Sequence, residues 1–211
     1  MAPKKSVPAT SPKGIQNKLV PVLRTTRLLL TLPAPKMAPQ HAEFAIDNAE
    51  HLARWEPPAP TGYHTAAFWR ARLTRNLKEF HAGESVRFSI FWRRKPEGPV
   101  LGHCNFTNIV WGAWHCASLG YRLDHRVEGK GVMTEALTAA TDFMFREHGI
   151  HRIQANYRPN NERSGAVLRR LGFTVEGYAR DYLFIDDAWR DHILTSLTNP
   201  SMQGRPPRLP K

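Results

Sequence analysis

Residues 120–173, GYRLDHRVEGKGVMTEALTAATDFMFREHGIHRIQANYRPNNERSGAVLRRLGF, decide the fold. A strand runs into Arg126-Val-Glu-Gly129-Lys-Gly131 and then straight into an amphipathic helix. Two glycines two apart at such a joint leave the backbone bare, so consecutive N–H groups can converge on one object. A helix N-terminus adds the positive end of a dipole, which makes that object an anion, most naturally a phosphate or pyrophosphate. The bland alternative is a tight turn that needs positive φ. The joint is no Walker loop, because no Gly-Lys-Ser/Thr closes it. Nor is it the dinucleotide fingerprint, because Thr134 stands where the third glycine belongs.

Working outward, periodicity assigns the remaining elements. Arg24 to Leu32 reads as a first strand stopped by Pro33 and Pro35, and 38–55 as a helix broken by the prolines at 57, 58 and 60. A second helix spans 65–81, and strands over 86–93 and 100–110 are joined through Pro96-Glu-Gly98. The strand 116–123 feeds the loop, with Leu119, Tyr121 and Leu123 on one face. The helix after the loop carries Val132, Met133, Ala136, Leu137, Ala140, Phe143 and Met144 along one stripe and stops at Gly149. A strand over 151–157, a short helix over 161–171 and two final strands about Asp186-Asp187 complete the chain.

Bulk properties bound the class. The 211 residues suffice for a sizeable core, and no stretch approaches the ~18 apolar residues of a membrane span. The first residues hold lysines but no apolar run, so they do not read as a secretory signal, and a cytoplasmic location is expected. Two cysteines make no disulfide framework. Of the net charge of +12, eight positive charges lie in two acid-free ends: Lys4, Lys5, Lys13, Lys18 and Arg24, then Arg205, Arg208 and Lys211. The expected organisation is therefore a basic disordered tail over 1–22, one domain over 23–198 and a second basic tail over 199–211. Such tails either solubilise the chain or make weak contact with RNA or a ribosome.

Beyond the loop, the order of motifs resembles one family. Arg126, Gly129 and Gly131 fill Gln/Arg-x-x-Gly-x-Gly/Ala; Asn161-x-x-Ser164 opens the next helix and Leu171-Gly172-Phe173 closes it. Glu176-Gly-Tyr178-Ala-Arg180-Asp181-Tyr182 and Trp189-Arg190-Asp191-His192 follow. Together these resemble the GNAT acetyltransferases, within them the RimJ-type ribosomal-protein-alanine N-acetyltransferases. The resemblance covers about 23–197, dense after Ser118. It implies an α/β (α+β) fold: a central mixed, mostly antiparallel sheet of about seven strands flanked by helices, splayed between 116–123 and 151–157.

The resemblance also implies site residues. Acetyl-coenzyme A threads the splay, its pantetheine pairing with the backbone of Tyr121, Arg122 and Leu123. Its pyrophosphate would take the N–H groups of Val127, Glu128, Gly129, Lys130, Gly131, Val132 and Met133, continuing to Thr134, with charge from Arg126 and Lys130. Asn156 and Asn161 would add pantetheine contacts, and Ser164 would protonate the departing thiolate. Many members carry a tyrosine acid four residues after Ser164; here Leu168 occupies that place, which leaves Ser164 as the candidate. Structurally, Asn161 and Ser164 are also ordinary first-turn residues.

On the acceptor side, Glu56 is the candidate general base, ahead of Glu84 and His115. Trp55, Asn105 and Tyr182 are candidate acceptor contacts. The implied reaction is direct attack of a free amine in a ternary complex. An N-terminal amine has a pKa of about 7.7–8.0 against about 10.4 for lysine, so a modest base suffices for it. The implied acceptor is the N-terminal alanine of a small-subunit ribosomal protein. A small-amine acetyltransferase and a non-catalytic, ribosome-associated coenzyme-A-binding protein are the competing expectations. The acceptor segments 54–64 and 103–116 contain one acid, Glu56, which disfavours a polyamine. No metal is expected: His103-Cys104 and His115-Cys116 are strand neighbours facing opposite ways. Trp111 and Trp114 read as packing rather than a base-stacking platform. The expected state is a monomer or dimer, with no membrane contact.

Overall fold

A computed structural model describes residues 19–204. The strand entering the glycine loop, β5 (Cys116–Leu123), lies inside an eight-stranded sheet. Its other strands are β1 (Val22–Arg24), β2 (Leu28–Thr31), β3 (Val86–Trp92), β4 (Gly102–Val110), β6 (Arg152–Tyr157), β7 (Thr174–Ile185) and β8 (Ala188–Thr198). The order is β1-β2-β3-β4-β5-β6-β8-β7. Neighbours are antiparallel except β5 and β6, which pair in parallel from Cys116↔Arg152 to Leu119↔Ala155. Beyond Leu119 that ladder stops, while β6 keeps its partner β8 as far as Tyr157↔Ile193. The sheet therefore parts at Gly120, where the splay was expected.

Among the described residues five α-helices cover the sheet: α1 (Ala38–Asp47), α2 (Ala49–Ala53), α3 (Ala66–His81), α4 (Val132–Arg146) and α5 (Glu162–Arg170). The α4 stripe behaves as its period dictates: Val132, Met133, Ala136, Leu137, Ala140 and Met144 are all buried. They meet Val86, Phe88, Ile90, Cys104 and Phe106 from β3 and β4 in the main core. Burying one such large apolar side chain contributes about 1.5–3 kcal/mol. On the other face, Trp69 and Leu73 of α3 pack on Ala38, Ala42 and Ala45 of α1. Strand alternation thus sends Tyr121 toward α4 and Arg122 toward α1 and α3.

Three boundaries differ from expectation. The expected strand 24–32 is a hairpin, β1 and β2, because Thr25 turns the chain by bonding Leu28 N through its hydroxyl at 2.9 Å and Leu28 O through its own N at 3.0 Å. This gives eight strands instead of about seven. The expected helix 38–55 breaks at Asn48, a fully buried residue whose side chain competes with helical continuation. Its Nδ2 donates to Phe44 O at 3.0 Å, and its Oδ1 accepts from His125 N at 3.0 Å. At the C-terminal end, Asn199 is buried and donates to Ile150 O, so the fold continues past 198. Most of the two expected tails, 1–18 and 205–211, lies outside the described residues. The Asp186-Asp187 hairpin turn is as expected, both residues having φ 53°.

Candidate active site

Where β5 and β6 part, a cleft of about 1940 Å³ opens, against about 300–1,000 Å³ for a single-ligand pocket. A space this large admits two ligands end to end. Its floor is the β5 stretch Gly120–Leu123, its first wall the α4 and α5 N-termini, its second wall α3 and the Trp55–Tyr63 segment.

At the first wall the glycine loop has the conformation an anion site needs. Gly129 and Gly131 both have φ 72°, and a Cβ on Gly129 would meet nothing within 4 Å. Gly131 is the N-cap of α4, so no side chain caps the helix and its first-turn N–H groups stay open. The turn reading and the anion reading are therefore one geometry. The loop is fixed from below. Asp124 accepts from Arg126 N at 2.8 Å; burial raises its pKa, but the Arg126 bonds outweigh that and hold it below the ordinary value. Arg126 also reaches Asp47 at 2.9 Å. From the side, Glu135 Oε1 accepts from Thr25 Oγ1 at 2.6 Å and Arg27 N at 2.9 Å. Arg27 in turn bonds Glu135 Oε2 at 2.6 Å and Lys130 O at 2.9 Å.

At the centre, Tyr121 Oη lies 2.6 Å from Ser164 Oγ. Burial pushes the Tyr121 phenol up, so it stays protonated across the working pH range; the Ser164 bond opposes this only in part. Ser164 is placed by the cap of α5: its N donates to Asn161 Oδ1 at 3.1 Å. Gly165 next to it allows close approach, since a Cβ there would sit 2.8 Å from the buried Tyr157 ring. Leu168 is a core residue, 1% exposed.

At the second wall, Arg122 Nη1 donates to Glu56 Oε2 at 2.9 Å and to the Tyr63 hydroxyl. Its guanidinium lies 5.5 Å from the Phe44 ring centre and 5.7 Å from that of Trp69. Burial pushes the Tyr63 phenol up, Arg122 opposing. Behind Arg122, His103 stacks on Trp69 and its Nδ1 meets Ser89 Oγ at 3.2 Å. Ser89 Oγ also meets His41 Nε2 at 2.9 Å. Desolvation lowers His41 to about 4 and His103 well below its ordinary value.

The expected residues divide cleanly. Tyr121, Arg122, Leu123, Glu128, Gly129, Gly131, Val132, Met133, Thr134, Asn156, Asn161 and Ser164 line the cleft, as do Trp55, Glu56 and Asn105. Arg126, Val127, Lys130 and Tyr182 do not. Arg126 is held by carboxylates, and Lys130 Nζ turns back to Arg126 O at 2.9 Å. Tyr182 is exposed and accepts from Asn156 Nδ2 at 3.1 Å. The Arg122 side chain faces the second wall rather than the glycine loop, and Glu128 is tied to His51 and Arg163. Neither Glu84 nor His115 lines the cleft. Sequence reasoning missed Tyr63, the Arg27–Glu135 clamp and the Tyr121–Ser164 contact. No local period signals any of them. Among the described residues, no group of three or more His, Cys, Asp or Glu is placed to hold a metal ion, and His103 and Cys104 do face opposite sides.

The acetyltransferase (GNAT) domain model matches residues 27–174. The chain belongs to the GNAT acetyltransferase family. It is 45% identical over 179 residues to the [ribosomal protein uS5]-alanine N-acetyltransferase of Escherichia coli K12, covering 84% of this chain and 91% of that protein. The crystal structure of the ribosomal-protein-S5-alanine acetyltransferase of Vibrio fischeri superposes with a TM-score of 0.81 at 34% identity, over 85% of this chain and 97% of that one. Mycobacterium smegmatis RimJ, solved with CoA-disulfide, gives 0.77 at 29% identity, over 88% and 90%. As a GNAT acetyltransferase, the chain has its parted strands where the family resemblance implied them.

Proposed function

We propose that this enzyme transfers acetyl from acetyl-coenzyme A to the N-terminal α-amine of a protein, the natural acceptor being the alanine of a small-subunit ribosomal protein. The carrying observation is the two-walled cleft. A hydroxyl pair stands beside the anion loop on one side of the parted strands, and a carboxylate set among aromatic rings stands on the other. The 45% relative supports the acceptor.

The bound substrate supplies a thioester whose carbonyl carbon bonds to the amine nitrogen as its C–S bond breaks. The chain holds both partners. The N–H groups of 129–134 at the uncapped helix receive the pyrophosphate, where the dipole favours negative charge. The unpaired edge of Gly120–Leu123 offers backbone groups to pantetheine, assisted by Asn156 and by the amide nitrogen of Asn161, whose oxygen is already used in capping. Lys130 contributes charge near the loop, while Arg126, paired with Asp124 and Asp47, fixes the loop's shape. Glu56 takes the proton the amine loses, through water, and passes it to solvent; Ser164 gives one to the thiolate, resupplied along the 2.6 Å contact from Tyr121, which regains its own proton from solvent. Trp55 and Asn105 line the acceptor entry.

Among the described residues no helix is long and apolar enough to cross a membrane. A ribosomal-protein acceptor would place the enzyme in the cytoplasm. The basic ends would bring it to ribosomal RNA. The deciding experiment is intact-mass analysis of an alanine-initiated peptide and of spermidine after incubation with enzyme and acetyl-coenzyme A. Gain of one acetyl group on the peptide alone is expected. Gain on spermidine alone overturns the reading, and gain on neither points to a binding protein.

A further inference from the structure

The second wall carries more positive charge than the protein neutralises. Arg72, Arg87 and Arg122 all line it. Glu56 is taken by Arg122. Glu79, the other carboxylate near these arginines, is taken by Arg75 at 2.8 Å, Arg87 at 3.3 Å and Ser85 at 2.8 Å. Arg72 is half-buried, and its side chain makes no hydrogen bond or ion pair with any described residue. Burial first, and then the nearby charges of Arg87, Arg75 and Arg122, work against its protonated form, with Glu79 opposing. A guanidinium does not lose its proton in a protein, so the wall stays cationic.

A second observation lies on the same wall. His103 and Asn76 are 5% and 8% exposed, and both line the cleft. His103 Nε2, Asn76 Oδ1 and Arg122 Nε are buried without a hydrogen-bond partner. Buried polar atoms are ordinarily paired, so three unpaired ones behind this wall leave it short of partners, and Arg72 is the unpaired group on it that reaches the cleft. That ligand is not the donor's pyrophosphate. The anion loop lies with α4 on the opposite face of the sheet from α3, as Tyr121 and Arg122 show by pointing apart.

We infer that this wall receives an acidic side chain of the acceptor, close behind its free amine, with Arg72 as the specificity-determining contact. The inference rests on the proposed reading that the acceptor is a protein N-terminus. A cationic wall serves that substrate twice. It attracts the carboxylate, and it disfavours the ammonium form of the amine, which must be neutral to attack.

The test is kcat/KM for alanine-initiated peptides carrying Glu or Gln at position two, three or four. At one of these positions the wild-type enzyme is expected to favour Glu over Gln by about tenfold, as a charge-assisted hydrogen bond to arginine implies. Added salt should shrink that ratio. Arg72→Gln should bring it near one whatever the absolute rate, and Arg72→Glu should favour a Lys peptide instead. Equal rates for Glu and Gln at all three positions in the wild type overturn the inference while leaving the N-terminal reading intact. So does a ratio that survives Arg72→Gln. Acetylation of none of the peptides overturns the N-terminal reading, and this inference with it.

Discussion

The contact between Tyr121 and Ser164 makes the sharpest claim about chemistry. Tyr121→Phe keeps the ring that packs in the main core and deletes only the hydroxyl 2.6 Å from Ser164 Oγ. Ser164→Ala removes the group placed to protonate the thiolate. General acid assistance contributes about 10²–10⁴-fold, and a thiolate, whose thiol has a pKa of about 8.5, leaves readily enough to need only the lower end. Ser164→Ala should therefore lower kcat by about 10²-fold. The Tyr121 hydroxyl acts through Ser164. A neutral hydrogen bond contributes about 0.5–1.5 kcal/mol, so Tyr121→Phe should cost about 2- to 13-fold. With serine gone the tyrosine has nothing to resupply, and the double variant should match Ser164→Ala alone. The assay is single-turnover acetylation of an alanine-initiated peptide, with acetyl-coenzyme A affinity measured separately for each variant. Losses that multiply to about 10³-fold in the double variant would show two independent residues and refute the relay.

Further outcomes follow from the same geometry. Glu56→Gln should lower kcat by about 10²-fold with acetyl-coenzyme A affinity unchanged, since Glu56 lies on the wall away from the anion loop; an unchanged rate across pH removes it as the base. Gly131→Trp should abolish acetyl-coenzyme A binding, because φ 72° is strained for any side chain and a Cβ there lies 3.6 Å from Arg27 Nη2, which holds the loop; calorimetry showing wild-type affinity would sink the loop assignment. Gly165→Ala gains about 0.5–1 kcal/mol of helix propensity but drives a Cβ to 2.8 Å from the Tyr157 ring, an overpacking that costs about 1–3 kcal/mol, so urea melts should show net destabilisation. His41, lowered from 6.5 to about 4 by burial, binds fewer protons folded than unfolded, so its contribution is complete above pH 6.5 and is lost as pH falls toward 4. That loss is on the order of 3 kcal/mol, and it should show as a fall in Tm over this window that His41→Gln makes shallower, His103 keeping the rest of the slope; equal slopes in both proteins would refute it.

What the sequence determined by itself is what neighbours within a few residues encode. The two-residue period set β5 at Cys116–Leu123, and the 3.6-residue stripe set α4, because each side chain's facing follows from backbone geometry alone. The two glycines marked the anion loop because few other residues accept φ 72°. Local pattern could not reveal that 24–32 folds back on itself, or that 38–55 breaks at Asn48. The break answers hydrogen bonds to His125, 77 positions away. The tertiary structure alone decided the chemistry. Glu56 meets Arg122 across 66 positions and Tyr121 meets Ser164 across 43, both through strand register and helix docking rather than spacing. The same packing left Arg72 without a carboxylate, because Glu79 was already taken by its neighbours on α3 and β3. Alternation tells that Tyr121 and Arg122 face apart; only the packed helices tell what each one faces.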